Sequence, residues 1–149
     1  MLLDDLKSPI DILLVEDNAG DVFLIENALR NCSTRHNLYL AEDRETAMRF
    51  LRPEERDFTS PCPQLIMLDL NLAGQVGGEV LMEIKGDPNL QHIPVIVLTE
   101  PASEQDMLRS YQLYANSYIT KSADLNQYQQ KIQSIGNYWL TCVQLPVKI

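Results

Sequence analysis

The chain has 149 residues, a length that suits one domain with a full core, and 45% of them are apolar, which excludes a disordered segment. With 12 basic against 21 acidic side chains the net charge is −9, the wrong sign for a nucleic-acid backbone or an anionic lipid surface. No apolar run is long enough to cross a bilayer, and Met1-Leu2-Leu3-Asp4-Asp5 meets acid too early for a secretory signal. A cytoplasmic protein without nucleic-acid or membrane partners is therefore expected. Cys32, Cys62 and Cys142 are too few and too widely spaced for a disulfide framework or a zinc site, and read as small apolar residues.

The first strand signal is Ile12-Leu13-Leu14-Val15, which stops at Glu16-Asp17. Val22, Ile25, Leu29 and Cys32 then recur at helical spacing, and Asp17 taken alone reads as the cap of that helix. Leu38-Tyr39-Leu40-Ala41 alternates, as an edge strand does. Asp43 caps a short helix with Ala47, Phe50 and Leu51 on its inner face, and the proline-containing stretch Arg52–Gln64 reads as a long surface loop. Leu65-Ile66-Met67-Leu68 is the third strand and ends in Asp69. Val80, Leu81 and Ile84 mark a helix ended by Gly86 and Pro88.

Val95-Ile96-Val97-Leu98 forms the fourth strand and ends in Thr99. Ser103-Glu104-Gln105-Asp106 reads as a capping box before a helix whose inner face carries Met107, Ser110, Tyr111 and Tyr114. Ser117-Tyr118-Ile119-Thr120 is a second edge strand that leads to Lys121. The longest helix, from about Asp124 to Cys142, sets Leu125, Tyr128, Ile132, Ile135 and Trp139 on one face.

Continuously apolar central strands alternating with helices call for a parallel sheet covered on both faces. The expected fold is α/β: a flavodoxin-like, doubly wound five-stranded parallel sheet, order 2-1-3-4-5, with five helices. One domain is expected over 1–149, with its core at about 11–140 and a C-terminal extension at 141–149.

In such sheets ligands bind beyond the carboxyl ends of the strands, where the winding reverses. Glu16, Asp17 and Asp69 converge there, with Thr99 and Lys121 at the same sheet edge. The turn Glu16-Asp17-Asn18-Ala19-Gly20-Asp21 is acidic and repels a bare phosphate, so no nucleotide or flavin is expected. Crowded carboxylates raise one another's pKa and attract a hard divalent cation, Mg²⁺. The cation and the Lys121 ammonium would together admit a phosphoryl group, with one carboxylate as its acceptor.

Glu16-Asp17, Asp69, Thr99 and Lys121, with Tyr118 ahead of the lysine, resemble the receiver domain of two-component response regulators over roughly Asp11 to Leu140. The loop Arg52–Gln64, the run Ser117–Ser122 and Tyr138-Trp139-Leu140 resemble more narrowly the stand-alone regulators paired with cyanobacterial phytochromes. The resemblance implies that Asp69 accepts a phosphoryl group from a sensor histidine kinase, a phytochrome. It implies Mg²⁺ held by Asp17, Asp69 and the main-chain carbonyl of Asn71, with Glu16 acting through water. Thr99 and Lys121 would bond phosphoryl oxygens, and Tyr118 would swing inward behind Thr99. Catalysis would be confined to the chain's own phosphorylation and dephosphorylation.

The sequence departs from the family pattern in three places. Glu100 stands where the family has a small residue, placed to pair with Lys121 or to repel a donor. Ser122 replaces the usual proline after the lysine, so no cis bond is expected there. The loop Ala73–Gly78 is rich in glycine. Because of Glu100, the alternative is a pseudo-receiver, a protein-binding module that does not use its phosphosite. Asn71 stands where a haloacid-dehalogenase-like phosphatase needs an aspartate, which disfavours that enzyme class. Only Val143–Ile149 follows the last helix, so output is expected through protein contacts. A homodimer is expected through the face of the fourth helix, fifth strand and fifth helix, with Trp139 and the apolar tail covered by a second copy.

Overall fold

The computed structural model describes residues 8–52, 61–72, 77–101 and 103–146. Five strands alternate with five helices: β1 (Ile10–Val15), α1 (Ala19–Arg30), β2 (His36–Ala41), α2 (Arg44–Leu51), β3 (Leu65–Asp69), α3 (Gly77–Gly86), β4 (Val95–Thr99), α4 (Glu104–Gln112), β5 (Ser117–Thr120) and α5 (Leu125–Asn137). A wider π-helical turn, Tyr138–Cys142, prolongs α5. The strands form one sheet in the order β2-β1-β3-β4-β5, all pairs parallel, as the apolar patterning required. Most of the loop Arg52–Gln64 and residues 73–76 of the loop Ala73–Gly78 lie outside the described residues.

Period-two alternation divides the central strands between two cores. Leu13, Val15, Ile66, Leu68, Val95 and Val97 face α2 and α3. Ile12, Leu14, Leu65, Met67, Ile96 and Leu98 face α1 and α5. Ile12 to Val15 are wholly buried, which explains why the run carries no polar residue.

Local signals fix the helix starts. Asp43 accepts from the Thr46 N–H, Ser103 and Asp106 form a reciprocal capping box, and Asp124 accepts from the N–H groups of Asn126 and Gln127. For α1 the cap is Asn18, whose Oδ1 accepts from the Asp21 N–H at 2.9 Å, and not Asp17. The cap therefore does not consume the Asp17 carboxylate.

Three sequence expectations need correction. On α4, Ser110 is buried, but Met107, Tyr111 and Tyr114 are exposed, because the helix lies over the edge strand β5 rather than the sheet centre. Tyr114 also lies past the helix end, in the left-handed region at φ 71°. Leu125 is likewise exposed, whereas Tyr128 and Ile132 are buried. The described part of the tail folds back on its own domain. Leu140 and Leu145 are buried, and Trp139 packs against the α1–α5 core. Gln64 Nε2 donates to the Pro146 carbonyl at 3.0 Å, and the Thr34 and Thr141 hydroxyls share a hydrogen bond of 3.0 Å. A second copy is thus not needed to cover these groups.

Candidate functional site

The β-ladder runs one residue past the strand ends and fixes the backbone of the site. The Glu16 N–H donates to the Ala41 carbonyl at 3.0 Å, Leu70 to Leu98 at 3.0 Å, and Lys121 to Thr99 at 2.7 Å. Glu16, Asp69, Thr99 and Lys121 are all buried at the carboxyl end of the sheet, although each carries a polar or charged group. Buried charges need partners, and here they partner one another.

Glu16, Asp17 and Asp69 place carboxylate oxygens within 4.8 Å of one another, Asp17 from an exposed position. Three hard oxygen donors this close, with an open side, suit a divalent cation such as Mg²⁺. Burial, a hydrogen bond with Asp69 and the Asp69 charge together raise the Glu16 pKa to about 8, against the opposing pull of Lys121 and the Asn18 N–H. Without a cation Glu16 therefore retains its proton at neutral pH. The two oxygens of Asp69 differ in partner: Oδ1 accepts from the Asn71 N–H at 2.8 Å, and Oδ2 faces the Lys121 ammonium at 3.3 Å.

Lys121 Nζ also donates to Glu16 at 3.2 Å and to Asp21 at 2.7 Å. Burial works against its charge, but the Asp21 hydrogen bond and the charges of Glu16, Asp69 and Asp21 outweigh it and hold the ammonium above its ordinary range. Glu100, expected as a possible partner of this lysine, is exposed instead, and the carboxylates of Glu16, Asp21 and Asp69 engage Nζ. Its main-chain N–H donates to Asn71 Oδ1 at 2.9 Å. No cis peptide occurs among the described residues, in keeping with Ser122 after the lysine.

The hydroxyl of Thr99 donates to the same Asn71 oxygen, at 2.8 Å. The family resemblance implied a role for the Asn71 main-chain carbonyl, while the structure gives its side chain another, tying the β3 and β4 ends together. Tyr118 lies half-buried against Tyr111, ring centroids 6.4 Å apart, and its hydroxyl is already shielded from solvent. Burial and the Asp106 charge push its phenol pKa up, with Thr99 opposing.

Sequence reasoning missed two residues. Asp21, read only as part of an acidic turn, makes the shortest contact with Lys121. Tyr128, read as a core residue, is 1% exposed, and its hydroxyl has no hydrogen-bond partner among the described residues. Burial raises its phenol pKa, and the charges acting on it are Lys121, which opposes the rise, then Asp21, Glu16 and Asp69. Tyr128 belongs to the core that α5 shares with α1.

The profile of the family described as response regulator receiver domain matches residues 12–133. The chain is 43% identical to the response regulator Rcp1 of a Synechocystis species, over 96% of this chain and 97% of that protein. It is 35% identical to the probable methanogenesis regulatory protein FilR2 of Methanothrix harundinacea, over 90% of this chain and 86% of the other. Among solved structures, the phosphorylated cyanobacterial phytochrome response regulator RcpA superposes with a TM-score of 0.86 at 42% identity, covering 94% of this chain and all of that one. The Mn²⁺-bound form of Rcp1 gives a TM-score of 0.87 at 42% identity, covering 93% of this chain and 100% of the other.

Proposed function

Because the chain belongs to the response regulator receiver domain family, we propose that it is a stand-alone regulator phosphorylated on Asp69 by a sensor histidine kinase in a Mg²⁺-dependent reaction. We take the kinase to be a phytochrome, on the strength of the likeness to RcpA and Rcp1. The Asp69 carboxylate carries this reading: it is buried at the strand end, clustered with Glu16 and Asp17, and faces the Lys121 ammonium at 3.3 Å.

In the transfer, an Asp69 oxygen attacks the phosphorus of a phosphohistidine. The new O–P bond forms as the N–P bond breaks, and its electron pair returns to the imidazole nitrogen. Asp17, Asp69 and the Asn71 carbonyl would hold Mg²⁺, with Glu16 acting through water, and the cation would offset the negative charge gathering on the phosphoryl oxygens. Lys121 pairs with one of those oxygens. Thr99 leaves Asn71 to bond another, and Tyr118 follows behind it. The chain then catalyses only its own phosphorylation and dephosphorylation. Exposed Met107, Leu108 and Tyr111 on α4, beside β5, support a homodimer through the α4–β5–α5 face.

Incubation with acetyl phosphate and Mg²⁺ followed by intact-mass measurement tests this. The expected result is one phosphoryl group per chain, absent from Asp69→Asn. No gain in the native chain favours the pseudo-receiver, and a gain that survives in the Asn variant assigns the acceptor elsewhere.

A further inference from the structure

Lys121 is expected to neutralise a phosphoryl oxygen, yet its shortest bond, 2.7 Å, goes to Asp21, which stands outside the cluster of Glu16, Asp17 and Asp69. Its contacts to Glu16 and Asp69 are longer, at 3.2 and 3.3 Å. Asp21 lies in the first turn of α1 and Tyr128 is the fourth residue of α5, and these two helices cover the same face of the sheet.

The Tyr128 hydroxyl is shielded from water and bonded to nothing among the described residues. Leaving a buried hydroxyl donor without an acceptor costs free energy that a newly vacant acceptor nearby would recover. Tyr128 is buried in the core shared by α1 and α5, and both helices begin at the carboxyl edge of the sheet, where Asp21 meets Lys121. In the present arrangement Lys121 engages all three carboxylates. When the ammonium moves toward a phosphoryl oxygen on Asp69, the Asp21 carboxylate loses its bond to the lysine and becomes a vacant acceptor at the start of α1, the helix whose core Tyr128 shares.

Given the phosphoryl-acceptor role of Asp69, on which this rests, we propose that Tyr128 is a positioning residue that exchanges with Lys121 on Asp21. Asp21 holds the lysine in the unphosphorylated protein. The Tyr128 hydroxyl donates to Asp21 once the lysine has left, which keeps Lys121 at the phosphoryl group. The orphaned hydroxyl and the displaced lysine are two sides of one exchange.

The test uses the full chain with Mg²⁺ and beryllofluoride as a stable phosphoryl mimic, with acetyl phosphate for the covalent form. Melting temperature is measured with and without beryllofluoride, and loss of the phosphoryl group is followed by mass, for the native chain, Tyr128→Phe, Asp21→Ala and the double variant. Tyr128→Phe is expected to leave the unliganded melting temperature unchanged or raised, because no bond is lost. It should shrink the rise caused by beryllofluoride and speed loss of the phosphoryl group about threefold to tenfold. In the Asp21→Ala background the same change should have no further effect.

The proposal is overturned if Tyr128→Phe lowers both melting temperatures equally, leaves the phosphoryl lifetime unchanged, or acts as strongly without Asp21 as with it. A native chain that takes up neither beryllofluoride nor a phosphoryl group would overturn the function itself, and is recognised without any variant.

Discussion

The hydroxyl of Thr99 donates to the side-chain oxygen of Asn71 at 2.8 Å, and the same oxygen accepts the Glu100 N–H at 2.9 Å. One amide therefore holds the hydroxyl that must turn toward a phosphoryl group, together with the backbone that follows it. Turning Thr99 inward breaks one of these bonds, so Asn71 biases the site toward its unphosphorylated arrangement.

Asn71→Ala should destabilise the unphosphorylated protein by about 1–2 kcal/mol, because a buried hydroxyl and an N–H lose their acceptor. The phosphorylated arrangement has already given up the Thr99 bond and should lose less. The rise in melting temperature on adding beryllofluoride is therefore expected to be larger in the variant. An equal or smaller rise would show that Thr99 does not leave Asn71.

Glu16 links the site to pH. Its pKa is about 8 in the folded protein against an ordinary 4.5, so between these values the folded state holds a proton that the unfolded state has released. The stability contributed by this group is complete below pH 4.5 and is lost as pH rises through about 8. Without Mg²⁺, the native chain should lose melting temperature over that window relative to Glu16→Gln. Mg²⁺ displaces the proton, so its affinity should rise with pH, by up to about tenfold per unit, and level off above about 8. Titrations at several pH values check the slope, and a flat affinity would mean that no proton leaves.

Gly136 lets α5 approach α1. A Cβ there would lie 2.6 Å from Cys32 Sγ and 2.9 Å from a Leu29 methyl carbon. Gly136→Ala should cost about 1–3 kcal/mol by overpacking, more than the ~1 kcal/mol that alanine gains in a helix. Cys32→Ala in the same chain should restore part of the loss, since it removes the nearer obstacle. Urea unfolding midpoints of the two variants decide this.

Leu108 is 57% exposed on α4, beside half-exposed Tyr111. Leu108→Arg should leave the stability of the monomer within about 0.5 kcal/mol of native, as exposed substitutions do. It should abolish the proposed dimer, with light scattering as the measure. A dimer that survives would move the interface away from α4, and a native chain that stays monomeric at high micromolar concentration would remove it.

Much of the fold is readable from local pattern because local physics sets it. Ile12-Leu13-Leu14-Val15, Leu65-Ile66-Met67-Leu68 and Val95-Ile96-Val97-Leu98 tolerate no polar residue because both faces of those strands are covered. Asp69, Thr99 and Lys121 stand at or just past strand ends, where strand periodicity alone puts them at the sheet edge. The weak spacing on α4 misled, since Met107 and Tyr111 satisfy a helical pattern but lie over the last strand, where there is little sheet to bury them.

What only the tertiary structure decided concerns groups that meet across the chain. Tyr128 fits the core face of α5 by its spacing, and its ring is indeed buried, but spacing does not reveal that its hydroxyl is shielded without a partner among the described residues. Asp21 reaches the lysine one hundred positions away because the start of α1 and the end of β5 both lie at the carboxyl edge of the sheet. The tail looked uncovered because its cover, Gln64 at the entry to β3 and Thr34 after α1, is remote in sequence. Periodicity reports which face of an element is buried, whereas the partner of a polar atom is set by how separate elements pack.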